Sequence, residues 1–362
     1  MRALKIFGMV VVALILAAGV VNYRLDSTPA ETFDSPQYQD GVFANTTPIT
    51  GNTLAKFVEI FQRSITEERS AIRPADAIPV QALSTRQLQA LPDSGVFFAK
   101  LGHSTVLFKI NGRYLLTDPM FSRRASPFSF MGPERFHPMP IAIEDLPPIE
   151  AVLLSHNHYD HLDEDSIRAL KEKTRHFVVP LGLKSQLLKW DIAARAISEL
   201  DWWQQKQVAG ITLTLTPSHH FSGRAFTDRN ATLWGGWAIN SAAASIFFSG
   251  DSGYFAGFKA IGEKLGPFDV AFMENGAYAS NWPQVHMQPE QTLTAFRDVQ
   301  GEYLVPIHNS TFDLAFHSWY APLQHLEQQS RQQGVRLLTP RFGDVIEVSQ
   351  PGVTPRWWQS MN

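Results

Sequence analysis

Six consecutive residues, 156–161, contain three histidines and one aspartate directly after an apolar stretch. Imidazole and carboxylate groups are the ligands that suit zinc when no thiolate is present, and alternate residues of a turning loop can point into one pocket. The chain has no cysteine, which excludes disulfides, thiolate ligands and a cysteine nucleophile. The segment therefore predicts a metal site, with His156 and His158 on one ion and Asp160 and His161 reaching a second.

A site for two ions needs more ligands than one loop supplies, and other strand ends offer them. Three further apolar stretches each run into candidate ligands, which are His219 with His220, Asp251, and His308. A layered α/β scaffold typically presents a site with polar residues at the ends of several strands. The spacing leaves open which of the adjacent His219 and His220 is the ligand.

The elements that position these residues are expected from residue 95 onwards. An opening β-meander is predicted at 96–101, 105–110 and 114–117, with Asn111-Gly112 as a turn signal. Further apolar strands are expected at 151–154, 177–179, 211–215, 246–248, 270–273 and 303–307. Helical or loop stretches separate many of them, so the pattern predicts two packed sheets covered by helices, a four-layer α/β arrangement.

Residues 118–148, here called the proline-rich loop, lack a clear periodic pattern. Loops of this length in compact domains are usually functional or disordered. The loop carries Arg123 and Arg124 among several phenylalanines. We interpret it either as a substrate-facing loop, with Arg123 and Arg124 as substrate contacts, or as plain cover of the sheet.

The N-terminal part is predicted to be separate from the catalytic domain, which spans residues 95–350. Residues 1–24 contain an uncharged apolar run, 6–21, behind Arg2 and Lys5, which is typical of a signal or a membrane anchor. Positive charge before the run favours an inward N-terminus and an exported catalytic part in the cell envelope, periplasmic in a bacterium. Residues 25–94 are interpreted as a linker and an amphipathic helix packed on the domain. Its apolar residues recur at helical spacing: Leu54, Phe57, Val58, Phe61 and Ile65.

The motif order His-x-His-x-Asp-His, then His, then Gly-Asp, then His is similar to that of the metallo-β-lactamase superfamily. This resemblance implies a four-layer αββα sandwich. Shorter motifs over residues 95–320 resemble the N-acyl-phosphatidylethanolamine-hydrolysing phospholipase D group. They include Gly102-His103-Ser104, Thr117-Asp118-Pro119, Leu200-Asp201-Trp202-Trp203, Leu233-Trp234-Gly235 and Gly250-Asp251-Ser252-Gly253-Tyr254.

The resemblance also implies a set of metal ligands. One zinc ion would take His156, His158 and His220, the other would take Asp160, His161 and His308, and Asp251 would bridge them. The family pattern places the third ligand just before an aromatic residue, here Phe221, which favours His220 and leaves His219 as an outer partner.

Other histidines receive weaker interpretations. His286 falls where the family has a further active-site histidine, and His103 follows the first strand, so each is a candidate to orient ligands or contact substrate, or a buried structural histidine. His317 has a similar but weaker case. We expect His137, His176 and His325 at the surface.

The activity implied by the resemblance is hydrolysis of a phosphodiester in a phospholipid or similar lipid at a membrane surface. Two zinc ions would lower the pKa of a bridging water, and Asp160 and Asp251 would hold the resulting hydroxide. The alternatives are a lactone or other ester hydrolase on the same site, a di-iron redox protein and a non-catalytic metal-binding protein. The family enzymes can be dimeric. A net charge of -3 gives no reason to expect a nucleic-acid partner.

Overall fold

The computed structural model describes residues 18–51 and 54–361. Most of the apolar run predicted as a signal or anchor lies outside these residues, and residues 18–25 are helical. Within the described ranges, no helix is long and apolar enough to cross a membrane. The side chains of Leu54, Phe57 and Phe61, on which the amphipathic-helix prediction partly depends, also lie outside the description.

Two seven-stranded sheets follow a small N-terminal hairpin of β1 (Tyr38–Gln39) and β2 (Val42–Phe43). The first sheet has the strand order β16-β3-β4-β5-β6-β7-β8. Its strands are β3 (Val96–Gly102), β4 (Thr105–Ile110), β5 (Arg113–Thr117), β6 (Ile149–Leu153), β7 (Thr174–Pro180), β8 (Ile197–Leu200) and β16 (Val345–Glu347). The meander β3-β4-β5 is antiparallel, as the Asn111-Gly112 turn predicts, and β5 to β8 run parallel.

The second sheet has the order β15-β14-β13-β12-β11-β10-β9. Its strands are β9 (Gln205–Val208), β10 (Ile211–Thr216), β11 (Gly236–Asn240), β12 (Ser245–Phe248), β13 (Phe268–Glu274), β14 (Gly301–Ile307) and β15 (Arg336–Leu337). Strands β9 to β12 are antiparallel and β12 to β15 are parallel. Every strand predicted from an apolar stretch is present. The four edge strands β8, β9, β15 and β16 were not predicted, because edges carry little apolar pattern, and neither was β11, a short strand inside the second sheet.

Helices cover the outer face of each sheet, which gives the four predicted layers. The helices are α1 (Leu54–Thr66), α2 (Thr85–Gln89), α3 (Glu164–Leu170), α4 (Leu183–Lys189), α5 (Gly257–Leu265), α6 (Pro289–Asp298) and α7 (Ala321–Gln333). Phe98, Leu215 and Phe272 lie in a core between the sheets. Separate clusters bury α2, α3 and α4 against the first sheet and α5, α6 and α7 against the second. The central strands are buried on both faces, and for this reason their sequences are continuous apolar runs rather than alternating patterns.

Residues 25–94, here called the N-terminal segment, lie on the surface of the domain, and part of the segment joins the core. Phe43 of β2 is fully buried in the cluster between the sheets. Helix α1 forms as predicted, and its Arg63 lies 4.2 Å from the ring centroid of Phe316 and donates to the side chain of Asn281. Val58 and Ile65 are 44% and 68% exposed, so these two apolar residues do not face the domain. A cation and its partners therefore hold part of this helix in place.

Candidate metal centre

The predicted ligands follow strands that end at one edge of the paired sheets. The 156–161 segment comes after β6, His220 after β10, Asp251 after β12 and His308 after β14. Strand ends that meet in a crevice are the usual place for a site in such scaffolds. Because β6 belongs to the first sheet and the other three to the second, the site spans both sheets.

A first donor group consists of His156, His158, His220 and Asp251, whose ligand atoms all lie within 4.8 Å of one another. His158 Nδ1 lies 2.8 Å from His156 Nε2 and 3.3 Å from His220 Nε2. Asp251 Oδ2 is 3.8 Å from both His156 Nε2 and His220 Nε2. His220 Nδ1 is 3.1 Å from the Val285 carbonyl, so its N–H can donate there and its other nitrogen faces the group.

A second donor group consists of His103, Asp160, His161 and His308. Asp160 Oδ2 lies 2.9 Å from His103 Nε2, 3.1 Å from His308 Nε2 and 3.5 Å from His161 Nε2. Asp251 Oδ2 also approaches this group, at 3.2 Å from His161 Nε2 and 3.0 Å from His308 Nε2. Asp251 therefore stands between the two groups.

The chemistry of these donors fits bound divalent ions. His161 Nε2 and Asp251 Oδ1 are buried without a hydrogen-bond partner, and such groups are costly unless something compensates them. Burial lowers the pKa of His156 and His220 well below the ordinary value, which keeps them in the neutral form that binds metal. For His308 burial acts in the same direction, but the carboxylates of Asp251 and Asp160 outweigh it and raise the pKa to about 10. A cation between these side chains would replace that proton.

Asp118 supports the second group from behind. Its Oδ2 accepts the Nδ1–H of His161 at 2.7 Å, and its carboxylate also accepts the backbone N–H and the hydroxyl of Ser155 at 2.7 and 2.6 Å. A carboxylate on the far nitrogen of a ligand histidine fixes the tautomer and the ring orientation. The sequence motif Thr117-Asp118-Pro119 contained this residue, but nothing in its spacing indicated the role.

The N-terminal segment contributes supports that sequence reasoning did not identify. The side chain of Asn45 accepts the backbone N–H of His220 at 3.1 Å and donates to its carbonyl at 2.7 Å. Ser27 of the same segment accepts a hydrogen bond on its hydroxyl from the side chain of Asn157 at 2.9 Å, and Asn157 in turn accepts the N–H of Gly223 at 2.8 Å. The main chain of a predicted ligand and the 156–161 segment are thus tied to residues more than 100 positions away.

The segment after His220, residues 221–230, is here called the cavity loop. Its Arg224 donates to the carbonyl oxygens of Asn157 at 2.8 Å and Leu162 at 2.7 Å, and its guanidinium lies 4.0 Å from the ring centroid of Tyr159. These two carbonyls flank the predicted ligands His158, Asp160 and His161. Arg224 therefore holds both ends of the 156–161 segment.

A cavity of about 820 Å³ opens above the donor groups. His158, Asp160, Asp251, His286 and His308 lie on its lining. The remaining wall comes largely from the N-terminal segment, including Ile49, Thr50, Gly51 and Ile60, and from residues 280–285, including Trp282 and Val285. The backbone N–H of Thr50 donates to Gln284 at 2.9 Å, which joins the two walls.

His286 and His103 take different places. The side chain of His286 is 13% exposed in the cavity, and its Nδ1 lies 3.3 Å from Glu274 Oε1. His103 is buried in the second donor group and is absent from the cavity lining. His219 belongs to neither donor group, because its ring turns towards Phe255, with a centroid distance of 6.1 Å. The structure therefore brings His220 and not His219 to the site.

The structure does not bring Arg123 and Arg124 to this cavity. Arg123 Nε donates to Glu134 Oε1 at 2.6 Å, and Arg124 Nη2 donates to Glu134 Oε2 at 2.9 Å. Both arginines line a separate cleft of about 400 Å³ with Tyr159 and Asp163. Each of them already has a carboxylate partner within the proline-rich loop.

The expectation of a surface position was wrong for His137. It is 4% exposed, its ring stacks on Phe342 at 3.8 Å, and its Nε2 lies 3.1 Å from the Thr311 hydroxyl. Burial lowers its pKa to about 3, so it is neutral. Its neighbours in sequence, among them Phe136, Pro138 and Met139, show no periodic pattern that would have predicted this burial.

Comparisons with known proteins agree with this geometry. The family described as Beta-lactamase superfamily domain matches residues 113–309. N-acyl-phosphatidylethanolamine-hydrolyzing phospholipase D 1 of Caenorhabditis elegans is 32% identical over 312 residues, covering 81% of this chain and 87% of that protein. An uncharacterized protein of Mycobacterium tuberculosis is 38% identical over 338 residues, covering 92% and 90%.

Solved structures show the same fold. A metallo hydrolase of Ignicoccus hospitalis superposes with a TM-score of 0.53 at 20% identity, covering 70% of this chain and 98% of that one. At that identity the likeness concerns the fold alone. The family match and the relatives confirm what the motif order predicted: this chain belongs to the β-lactamase superfamily and is a metal-dependent hydrolase of the metallo-β-lactamase fold with phospholipase D homologues.

Proposed function

We propose that the chain is a two-zinc phosphodiesterase that hydrolyses a phospholipid or a similar lipid in the manner of a phospholipase D. The observation that carries this proposal is the position of Asp251 between the two donor groups. Its Oδ2 lies 3.0 Å from His308 Nε2 and 3.8 Å from His156 Nε2, on the floor of the cavity. One carboxylate shared by two histidine-rich groups suits a pair of divalent ions that act on one substrate.

The cavity supports a lipid as the substrate class. Its volume of about 820 Å³ is sufficient for a drug-sized ligand, and its wall includes the apolar side chains Ile49, Ile60, Trp282, Val285 and Leu314. Acyl chains need such a surface, whereas the metal donors at the floor would receive the phosphate. The relative in Caenorhabditis elegans is named for hydrolysis of an N-acylated phospholipid, which supports the same class.

Each predicted catalytic residue has a role in this proposal. Bound zinc ions would lower the pKa of water and polarise a phosphoryl oxygen. The carboxylates of Asp160 and Asp251 would hold and orient the attacking hydroxide. His286 lines the cavity with its Nδ1 near Glu274, and its other nitrogen would give a proton to the leaving alcohol.

The first experiment is to measure the metal content of the purified protein and to assay three substrates in parallel. These are a bis-aryl phosphodiester, a phosphatidylethanolamine and a lactone. About two zinc ions per chain, with phosphodiester turnover that is lost on chelation, is the expected result. Turnover of the lactone alone would contradict the phosphodiesterase proposal and move the function to the second candidate, a lactone or other ester hydrolase.

Asp251→Ala tests the shared carboxylate directly. We expect loss of bound zinc and of turnover, with the far-ultraviolet circular dichroism spectrum unchanged, because the substitution removes the carboxylate that lies between the two groups. Asp191→Ala is the matched control, since the side chain of Asp191 is 73% exposed and pairs with Arg168. A fully active Asp251→Ala protein that retains two zinc ions would exclude the proposed site.

We also propose that the substrate is met at a membrane surface of the cell envelope. The apolar run at residues 6–21 supports this location. Cell fractionation with and without residues 1–24 checks it, and equal recovery in the cytosolic fraction would contradict it. Homodimer formation stays a prediction, which a measurement of the molar mass in solution by light scattering would check.

A further inference from the structure

The cations that line the cavity differ in how they are neutralised. Lys56 Nζ lies 3.3 Å from Glu59 Oε2 on helix α1. Arg229, from the cavity loop, also lines the cavity, but no Asp or Glu oxygen lies within 4.0 Å of its guanidinium in the described part of the chain. A guanidinium group that has no carboxylate partner and lies beside a cavity can donate hydrogen bonds to an anionic group of a ligand.

Phe221 places this guanidinium close to the metal donors. The ring centroid of Phe221 lies 4.9 Å from the Cζ of Arg229. The same ring is 4.6 Å from the ring of His158 and 4.8 Å from that of His220, centroid to centroid. One aromatic ring therefore separates Arg229 from the first donor group. Contact with the ring face also limits the conformations available to a long side chain at the surface.

The backbone that carries Arg229 is fixed at both ends of the cavity loop. The N–H of Asn230 donates to the carbonyl of Ser222 at 3.0 Å, and the Asn230 side chain accepts the N–H of Ser222 at 3.3 Å. The neighbouring Asp228 is 1% exposed and accepts the N–H groups of Arg224 and Ala225 at 2.9 and 2.8 Å. A tied loop holds its cation in one place before a ligand arrives, which reduces the entropic cost of binding.

We propose that Arg229 is a specificity-determining residue that contacts the negative charge of the substrate. This inference rests on the proposed function, because it assigns the recognition of the phosphodiester anion within the same cavity. A substrate phosphate bound at the donor groups would lie beside the guanidinium of Arg229. The ring of Phe221 would contact the part of the substrate next to that phosphate. A neutral lactone or ester offers no charge to this residue, so Arg229 favours phosphodiesters over neutral substrates.

The test is the equilibrium binding of two matched ligands to the zinc-loaded protein, measured by calorimetry. Diphenylphosphinate is a tetrahedral monoanion without a hydrolysable P–O ester bond, and diphenylphosphinamide is a neutral analogue of similar shape. For Arg229→Gln we expect the Kd of the anion to rise about three- to fivefold, as for a partly solvated ion pair, with the Kd of the neutral analogue unchanged. The anion affinity should fall with added salt in the parent protein and less steeply in the variant.

Arg195→Gln is the control, because Arg195 is exposed and absent from the cavity lining. Equal anion affinity in the parent and Arg229→Gln, or an equal loss for both ligands, would overturn the proposal. Turnover gives an independent measurement: KM for the bis-aryl phosphodiester should rise in Arg229→Gln with kcat little changed. If the parent protein hydrolyses only the lactone, the phosphodiesterase proposal fails, while the binding comparison still decides whether Arg229 contacts an anion.

Discussion

Two arginine-bearing loops lie beside the 156–161 segment, and their arginines have different binding partners. In the proline-rich loop, Arg123 and Arg124 both bind Glu134. In the cavity loop, Arg224 binds two backbone carbonyls of the metal-binding region, and Arg229 lines the cavity without an acidic partner in the described ranges. From sequence, the adjacent pair Arg123 and Arg124 was the more conspicuous candidate.

The difference shows that the partners of a cation, rather than its loop, decide what it can bind. A guanidinium already paired with a carboxylate must lose that partner before it can bind a phosphate, whereas one that rests on an aromatic ring keeps its N–H groups available. Glu134 provides such a partner in the proline-rich loop. Arg224 of the cavity loop supports the 156–161 segment, and Arg229 of the same loop is the residue that we propose to contact the substrate.

The largest effect is expected for Arg224→Ala. The substitution removes both hydrogen bonds to the carbonyls of Asn157 and Leu162 and leaves those acceptors poorly satisfied, at a cost of about 2 kcal/mol in the free energy of unfolding. We also expect weaker zinc binding, since the segment between these carbonyls carries the ligands. Urea unfolding and a chelator titration measure the two effects. Arg168→Ala, at an exposed arginine, is the control, and a variant with parental stability and zinc affinity would break the comparison.

A smaller effect is expected for Asn45→Ala. Its side chain makes two hydrogen bonds to the main chain of His220, so its removal should cost about 1 kcal/mol and loosen the start of the cavity loop. Zinc affinity should fall while Arg224→Ala remains the more damaging change. Competition with a chromogenic chelator gives the affinity. Asn240→Ala is the control: it removes one side-chain hydrogen bond to Ser245, between β11 and β12 and away from the cavity, and should leave zinc affinity unchanged.

Glu134→Gln sharpens the comparison from the other side, because it frees Arg123 and Arg124. Loss of these surface ion pairs should lower the free energy of unfolding only slightly. KM for a phosphodiester should stay at its parental value, since both arginines line a different cleft. Thermal unfolding and steady-state kinetics measure the two quantities. A lower KM would mean that the freed arginines reach the substrate.

The smallest effect is expected for the double variant Arg123→Gln and Arg124→Gln. Neither side chain lines the cavity above the metal donors, so we expect KM and kcat on every phosphodiester to be unchanged. The kinetics of Arg229→Gln, measured in the same assay, provide the reference. A rise in KM as large as that in Arg229→Gln would restore the proline-rich loop as a substrate contact and remove the distinction between the loops.

The sequence predicted the central strands of the two sheets better than the edge strands and the N-terminal segment. Every apolar stretch from residue 96 to residue 307 that was predicted as a strand is a strand, because burial on both faces of a central strand leaves a continuous apolar signal. Polar edge strands such as β9 and β15 carry no such signal, and the five-residue internal strand β11 was also not predicted. The N-terminal segment was interpreted as a separate part of the chain, but its contacts with His220 and the cavity were not predicted. Short polar segments have no hydrophobic periodicity from which such contacts could be inferred.

The sequence by itself determined the donor types, their order along the chain and the superfamily, because six adjacent residues supply four donors and the remaining donors directly follow apolar strands. Only the tertiary structure decided that His103 joins the second donor group, that His219 turns away, and that Arg229 rather than Arg123 lines the cavity. The physical reason is that a side chain acquires its role from its partners in space. Asn45 and His220, or Ser27 and Asn157, become neighbours only when the two sheets and the N-terminal segment pack together.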